Sequence, residues 1–461
     1  MQTNRLRQNS HFQLFSSFSF ALIFALLTIG SSVSAETPQP ATDGFETSKP
    51  NLKVSDTKKN VIVLLADDLG WGDVGFHDGP ADTIHIDQLA KQGVELSRFY
   101  AYPACSLARA ALLTGRFPHR YGVTRPTRPN DVGVPLDERI LVQDFQAAGY
   151  QTSLIGKWHL GYSKEKEFLP QNRGFDLHYG FTGASVDYFK HTGRKDEHDW
   201  HRNGVEVKEE GYSTDLLVNE AISRIENRDK SKPFCILLSF NAPHSPFQAP
   251  RRLVQKYSYL AGQTSIYAAM IQSMDDGIGR ILKTIDDQEL RDNTVVVFTS
   301  DNGAARVGIN APFRGVKREV YEGGIHVPCV IRLPGVLPAG KVNKQLSKID
   351  DIYPTLAEAA GIKLTAKKPL DGISLWKNLT NETTDSRSIV IVEREHTLIK
   401  DDWKLIDSRG EIELFNLKAD PSETKNLAEE QPDIAAKMKA QLDDYKKRVE
   451  ADEPVEKPVK R

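Results

Sequence analysis

Four short apolar runs, each stopping abruptly at reactive polar residues, set the pattern of this chain. Residues 60–66 (NVIVLLA) form a continuous β-branched run without alternation, which fits a parallel strand buried on both faces. The run stops at Asp67-Asp68. Residues 152–155 lead into Gly156-Lys157-Trp158-His159, residues 234–240 into Asn241-Ala242-Pro243-His244, and residues 294–300 into Asp301-Asn302-Gly303. Helical periodicity lies between the runs, over residues 86–93, 215–226 and 266–285. Strands alternating with helices predict an α/β fold, a mostly parallel sheet sandwiched by helices. In such sheets ligands bind beyond the carboxyl ends of the strands. Core packing does not account for four strands that each end in titratable or metal-binding groups.

A fifth stretch, residues 102–121 (YPACSLARAALLTGRFPHRY), adds a nucleophile. Alanines and leucines over residues 107–113 favour helix, and Gly115 is a stop signal. Cys105 then falls at or just before a helix N-terminus, where free N–H groups and the dipole favour negative charge. Arg109, one turn on, projects from the same face. Alone, a single cysteine reads equally well as a small buried hydrophobe.

The ends of the chain have a different character. Arg5 and Arg7, the apolar residues 18–29 and the small-residue site Val33-Ser34-Ala35 predict a signal peptide over residues 1–35, with a retained N-terminal anchor as the alternative. The mature protein is then exported, periplasmic or secreted, with no membrane contact after cleavage. Residues 36–59 read as a linker, 60–362 as a catalytic domain, and 363–461 as a smaller C-terminal α+β domain with a charged helical tail from Pro432 to about Glu450.

Charge and cysteine content narrow the function classes. The formal charge is −2, and removing residues 1–35 takes away two arginines and no acid, giving −4. Both signs are abundant, so the chain does not read as a nucleic-acid binder. Three cysteines in 461 residues do not make a disulfide framework. Cys235 and Cys329 sit in apolar runs and read as core residues, with a bridge between them left open.

Asp67, Asp68, Asp301 and Asn302 supply oxygen ligands from two strand ends. A carboxylate-rich, oxygen-only set suits a hard cation such as Ca²⁺, although Asp68 or Asp301 would also serve to cap a following turn. Lys157 and His159, two apart, point the same way if the backbone is extended. His244 sits in a Pro-flanked loop, and Lys317 precedes the Gly323-Gly324 turn. Together they offer cations for an oxyanion and groups for proton transfer. The segment 191–201 (HTGRKDEHDWH) reads as a polar substrate-facing loop or a second metal site. Trp158, Tyr188 and Trp200 either stack on sugar rings or pack in the core.

Taken together these residues resemble the type I sulfatases of the alkaline-phosphatase-like fold. The matching pieces are Leu65 to Gly70, Cys105 to Tyr121, Gly156 to Gly161, Asn241 to His244, Ser300 to Gly303, Tyr321 to Gly324, and Glu413 to Leu417 before Asp420-Pro421. The 175–250 region looks most like the branch with N-acetylgalactosamine-4-sulfatase (arylsulfatase B) and bacterial algal-polysaccharide sulfatases. The resemblance implies that a maturation enzyme oxidises Cys105 to Cα-formylglycine, whose hydrate attacks the sulfur of a sulfated carbohydrate. It further implies that Arg109 and Lys157 stabilise the hydrate and the sulfate. Asp67, Asp68, Asp301 and Asn302, with residue 105, would hold one Ca²⁺, and Asp301 would take the nucleophile's proton. His244 and Lys317 would bind the ester and protonate the leaving alcohol, while His159 strips the second hydroxyl and regenerates the aldehyde. One position departs from the family: Leu107 stands where the usual modification motif has Pro or Ala. Two alternatives stay open at this level, a phosphoesterase of the same fold and an inactive glycan-binding relative.

Overall fold

The run at residues 60–66 becomes the middle of a ten-stranded sheet. The structure, a computed structural model, describes residues 58–453 apart from 129, 130, 132, 162–165, 366 and 393. The expected signal peptide, most of the expected linker and the last eight residues, 454–461, lie outside the described residues.

The sheet contains β1 (Asn60–Ala66), β2 (Val94–Leu96), β3 (Gln151–Lys157), β4 (Leu177–Phe181), β5 (His201–Arg202), β6 (Val205–Glu206), β7 (Phe234–Ser239), β8 (Thr294–Ser300), β9 (Cys329–Arg332) and β10 (Lys341–Asn343). Its order is β10-β2-β9-β8-β1-β7-β3-β4-β5-β6. Strands β8, β1, β7, β3 and β4 run parallel, whereas β9, β5 and β6 pair antiparallel with their neighbours. The sheet is mixed and mostly parallel, as the four apolar runs predict.

Along β1 the side chains alternate between two apolar cores. Val61, Val63 and Leu65 join one face, and Ile62, Leu64 and Ala66 the other. This explains why the run does not alternate in polarity: both faces are covered. Each such buried aliphatic side chain contributes about 1.5–3 kcal/mol of burial free energy. Helices α1 (Ile84–Gln92), α3 (Ser213–Glu226) and α4 (Gln263–Asp287) cover the second face, and α2 (Cys105–Thr114) the first.

On the α2 side lies a C-terminal antiparallel sheet, β11 (Ser388–Val392), β12 (His396–Lys400), β13 (Trp403–Ser408) and β14 (Glu411–Asn416), followed by α5 (Pro432–Glu450). Its inner residues Ile389, Leu398, Leu405 and Leu414 belong to the same apolar core as Val61 and Leu107. All three cysteines are free, so Cys235 and Cys329 do not bridge. Among the described residues no helix is long and apolar enough to cross a membrane.

Candidate active site

Register builds the acidic half of the site. β1 and β8 are each seven residues long and pair in parallel from Asn60 opposite Thr294 to Ala66 opposite Ser300. The next residues on each strand are therefore neighbours, Asp67 beside Asp301 and Asp68 beside Asn302. The Asp301 N–H donates to Ala66 O at 3.2 Å, and the Asp68 N–H to Asp301 Oδ1 at 3.2 Å. Asp68 leaves the strand in the left-handed region (φ 67°), a turn that Asp tolerates, and the Tyr267 hydroxyl donates to its carbonyl at 2.8 Å.

Helix α2 and strand β3 bring the cationic half. Cys105 is the first residue of α2, and Gly115 in the left-handed region (φ 62°) ends it, as the sequence predicts. Arg109 donates from Nε to Asp301 Oδ2 at 2.9 Å, and its Nη2 lies 3.8 Å from Asp67 Oδ1. Its Nη1 donates to the Ser239 hydroxyl at the end of β7. Lys157 Nζ, at the end of β3, donates to Asp67 Oδ2 at 2.7 Å. Lys317 Nζ lies 2.6 Å from Asp68 Oδ1, and His244 Nε2 3.7 Å from Asp68 Oδ2. All the predicted site residues thus converge on one sheet edge.

His159 reaches this edge differently from the sequence expectation. The strand ends at Lys157, and His159 takes a left-handed conformation (φ 57°), so the extended spacing that would align the two side chains is broken. Its carbonyl accepts the Thr127 hydroxyl at 2.8 Å and the Ser106 hydroxyl at 3.2 Å. Its Nε2 faces the Thr127 carbonyl at 3.3 Å, so that nitrogen carries the proton. Nδ1 is buried without a hydrogen-bond partner and is the free lone pair. Thr127, Ser106, Ser239 and Tyr267 are site residues that no charge or periodicity in the sequence marks.

The charges shift the acidities of the reacting groups. Burial opposes ionisation of the Cys105 thiol, but Lys157 and Lys317 outweigh it and hold the thiol below its ordinary value. Burial would raise Asp68 too, yet Lys317 and His244 keep it well below the carboxylate range. Asp301 moves the other way: burial and the neighbouring Asp67 push it up, against Arg109. Burial, Lys157 and Arg109 all hold His159 below the usual imidazole value.

The acidic set fits a metal. Asp67, Cys105 and Asp301 present ligand atoms within 4.8 Å of one another, as do Asp67, Asp68 and His244. Asp67 Oδ1 and Asn302 Oδ1 are buried oxygens without a hydrogen-bond partner. The Asn302 amide is oriented by donating to Asp68 Oδ1 at 2.8 Å and to Gly303 O at 2.9 Å, which leaves Oδ1 free to ligate. Orphaned buried acceptors are costly unless a cation completes them. Three carboxylates, Asp67, Asp68 and Asp301, face three cations, Arg109, Lys157 and Lys317.

The Sulfatase family matches residues 59–362, and the C-terminal family of N-sulphoglucosamine sulphohydrolase matches residues 315–448. The chain belongs to the sulfatase family. It is accordingly a sulfuric ester hydrolase. Arylsulfatase J of Mus musculus is 29% identical to this sulfatase, over 89% of this chain and 78% of the relative. N-acetylgalactosamine-6-sulfatase of Homo sapiens is 33% identical over 69% of this chain and 65% of its own length, so this sulfatase spans just under two thirds of that relative. The crystal structure of Ps i-CgsB superposes with a TM-score of 0.79 at 31% identity, covering 84% of this chain and 93% of that one. PsFucS1 from Pseudoalteromonas sp. superposes with a TM-score of 0.76 at 26% identity, covering 87% and 92%. The alkaline-phosphatase-like fold expected from the motifs is the fold of these sulfatases.

The remaining expectations sort by burial. Trp158, Tyr188 and Trp200 are buried and pack in the core. Tyr188 nonetheless touches the site through its hydroxyl, 2.6 Å from Asn241 O and 2.8 Å from His244 O, which fixes the His244 loop. The 191–201 segment lines a cavity of about 690 Å³ together with Thr127, Thr182 and Pro246. Thr127 and Thr182 both hold His159, so the cavity adjoins the site. No metal-binding group appears in that segment among the described residues.

Proposed function

We propose that this sulfatase is exported and Ca²⁺-dependent, and that it hydrolyses sulfate esters of a sulfated carbohydrate through a formylglycine at position 105. The observation that carries it is the adjacency of Cys105 to Asp67 and Asp301, with Lys157 and Lys317 lowering the pKa of its thiol. The carbohydrate class is supported by the structural relative Ps i-CgsB, which has been seen in complex with a neocarrahexaose, and by the polar cavity beside His159. Export is supported by the sequence of residues 1–35.

Asp67, Asp68, Asp301 and Asn302 would hold Ca²⁺, which when bound polarises sulfate oxygens. Formylglycine, once formed from Cys105, supplies as its hydrate a nucleophile that also carries a second removable proton. Arg109 and Lys157 orient residue 105 and offset negative charge there. Lys317 and His244 flank Asp68 at the open side, where the ester's oxygens enter. Asp301, whose pKa burial and the neighbouring Asp67 raise, is suited to accept the nucleophile's proton. His159 keeps Nδ1 unprotonated and is suited to take the second proton. The phosphoesterase alternative, which on this fold calls for a histidine-rich dizinc site, gains no support: among the described residues, no candidate metal group has more than one histidine.

The test is sulfate release from a panel of sulfated oligosaccharides, with and without chelator, alongside the mass of the peptide containing residue 105. Ca²⁺-dependent release and the aldehyde mass are expected. A full thiol mass with no release, from a host able to mature sulfatases, defeats the proposal.

A further inference from the structure

Lys317 sits in a long irregular segment that begins after Asp301-Asn302 and ends at the short helix Glu322–Ile325. Its placement comes from the C-terminal sheet. Strands β13 and β14 pair Lys404 with Phe415 and Ile406 with Glu413, so these four side chains share one face. Ile406 and Phe415 form a buried cluster with Val320, and Tyr321 packs against it. The Tyr321 hydroxyl donates to Glu413 Oε2 at 2.7 Å, and the Arg314 guanidinium stacks 3.8 Å over the Tyr321 ring. Arg314 Nη1 also donates to the Glu423 carbonyl at 2.9 Å, and the Ser422 hydroxyl to the Pro312 carbonyl at 2.6 Å.

At the centre of this contact is a buried ionic cluster that the catalytic chemistry does not use. Lys404 Nζ lies 3.0 Å from Glu322 Oε1 and 2.7 Å from Glu423 Oε1. Glu423 Oε2 accepts the Glu322 backbone N–H at 2.7 Å. Glu322 Oε2 accepts the Tyr100 hydroxyl at 2.9 Å and faces His326 Nδ1 at 2.9 Å. Burying such a triad is a costly way to fill space, because apolar side chains pack as well without desolvation. What it adds is direction, since it fixes the backbone at Glu322.

From Glu322 the constraint passes to Lys317 through backbone contact. A Cβ at Gly323 would stand 2.3 Å from Gly315 O, and one at Gly324 2.0 Å from Glu319 O. The Lys317 loop therefore lies directly on the Gly323-Gly324 backbone, with no side chain to cushion it. The Gly323 N–H donates to Arg314 O at 2.6 Å and the Lys317 N–H to Ala304 O at 3.0 Å. The Arg318 N–H donates to Pro103 O at 2.7 Å, two residues before Cys105.

We propose that Glu423, Lys404 and Glu322 are positioning residues, a buried ionic latch by which the C-terminal sheet sets where Lys317 stands relative to residue 105. This rests on the proposed role of Lys317 as a sulfate ligand. It also gives a task to Tyr321 to Gly324 and Glu413 to Pro421, motifs that contribute no group to the chemistry.

A double-mutant cycle tests it. kcat and KM on a sulfated oligosaccharide, and inorganic sulfate affinity by calorimetry, are measured for the wild type, Glu423→Ala, Lys317→Ala and the double variant. Glu423→Ala is expected to lower kcat/KM roughly ten- to a hundred-fold, the scale of a displaced catalytic group. In the Lys317→Ala background it should add less than about two-fold, because the two act in series. Glu423→Gln, which keeps the acceptor for the Glu322 N–H, should retain most activity; Lys404→Met, expected to lose activity as Glu423→Ala does, carries the cycle if Glu423→Ala does not fold. Fully additive losses, or wild-type kinetics in Glu423→Ala, overturn the latch. A wild-type chain that binds sulfate but releases none defeats the functional proposal instead, and the sulfate-affinity cycle then decides the latch.

Discussion

At the scale of single residues, the site depends on atoms left deliberately without partners. Asn302 Oδ1 is held free by the two hydrogen bonds of its own amide nitrogen. Replacing Asn302 with Ala is expected to weaken Ca²⁺ binding at least about tenfold, the scale seen when metal-site groups are removed. Calorimetric titration with Ca²⁺ checks this, and an unchanged affinity would remove Asn302 from the ligand set. His159 makes a pH prediction. Burial, Lys157 and Arg109 depress its pKa, so it remains an unprotonated base below the ordinary imidazole range, and the acid limb of kcat lies there. Lys157→Met removes one positive neighbour, so that limb should move to higher pH, with roughly a hundredfold loss of rate. A limb that stays in place argues that His159 is not the base. The charged residues and the candidate metal ligands were legible in the sequence because their types and spacing are unusual. Thr127, Ser106 and Ser239 were not, because they act through hydroxyl-to-carbonyl bonds that any surface Ser or Thr can make.

Elements carry a second layer of information. The strands at residues 60–66 and 294–300 were legible to the residue, since a double-faced buried run has sharp polar ends. Short strands such as Val94–Leu96 and the antiparallel direction of Cys329–Arg332 were not: three or four residues give no periodicity, and direction depends on the connecting path. Helix α1 shows an interaction between elements that propensity cannot reveal. Its N-cap, Thr83, makes no side-chain cap, and Asp275 of α4 instead accepts the Ile86 N–H at 2.7 Å and the His85 N–H at 3.1 Å. Burial, against those two bonds, pushes Asp275 up to about 7. Between about pH 4 and 7 the folded chain thus keeps a proton that the unfolded chain has released. Stability falls as pH rises through that window and levels off above it. Asp73, pushed by burial up to about 7, acts with the same sign. Asp275→Asn should make the decline of Tm between pH 4 and 7 shallower without abolishing it. An unaltered slope would assign the decline to other groups.

For the whole molecule, the boundary drawn at residue 362 is a boundary of sequence character and not of packing. Ile389, Leu398, Leu405 and Leu414 share one apolar core with Val61, Leu107 and Leu112. Deleting residues 363–461 would expose that core to water, and the shortened chain should be recovered only as aggregate in size-exclusion chromatography. A soluble, monomeric product with a cooperative melt would contradict the shared core. The C-terminal region was legible as α+β with a helical tail, but the bearing of its sheet on the Lys317 loop was not. That contact joins residues 404 and 423 to residue 322, and such pairings appear only once the chain is folded.

Leu107, where the family carries Pro or Ala, is wholly buried within the α2 core. The sulfhydryl groups themselves provide a gauge of whether it slows maturation. Burial pushes the Cys235 and Cys329 thiols far up, Cys235 to about 12, so both stay protonated and unreactive in the native protein. Only Cys105 is both acidified and turned toward the catalytic edge. On the proposed formylglycine chemistry, titration of an undenatured preparation with a thiol reagent should therefore count the fraction of molecules still carrying Cys105 as a thiol, from one equivalent in an unconverted batch to none in a fully converted one.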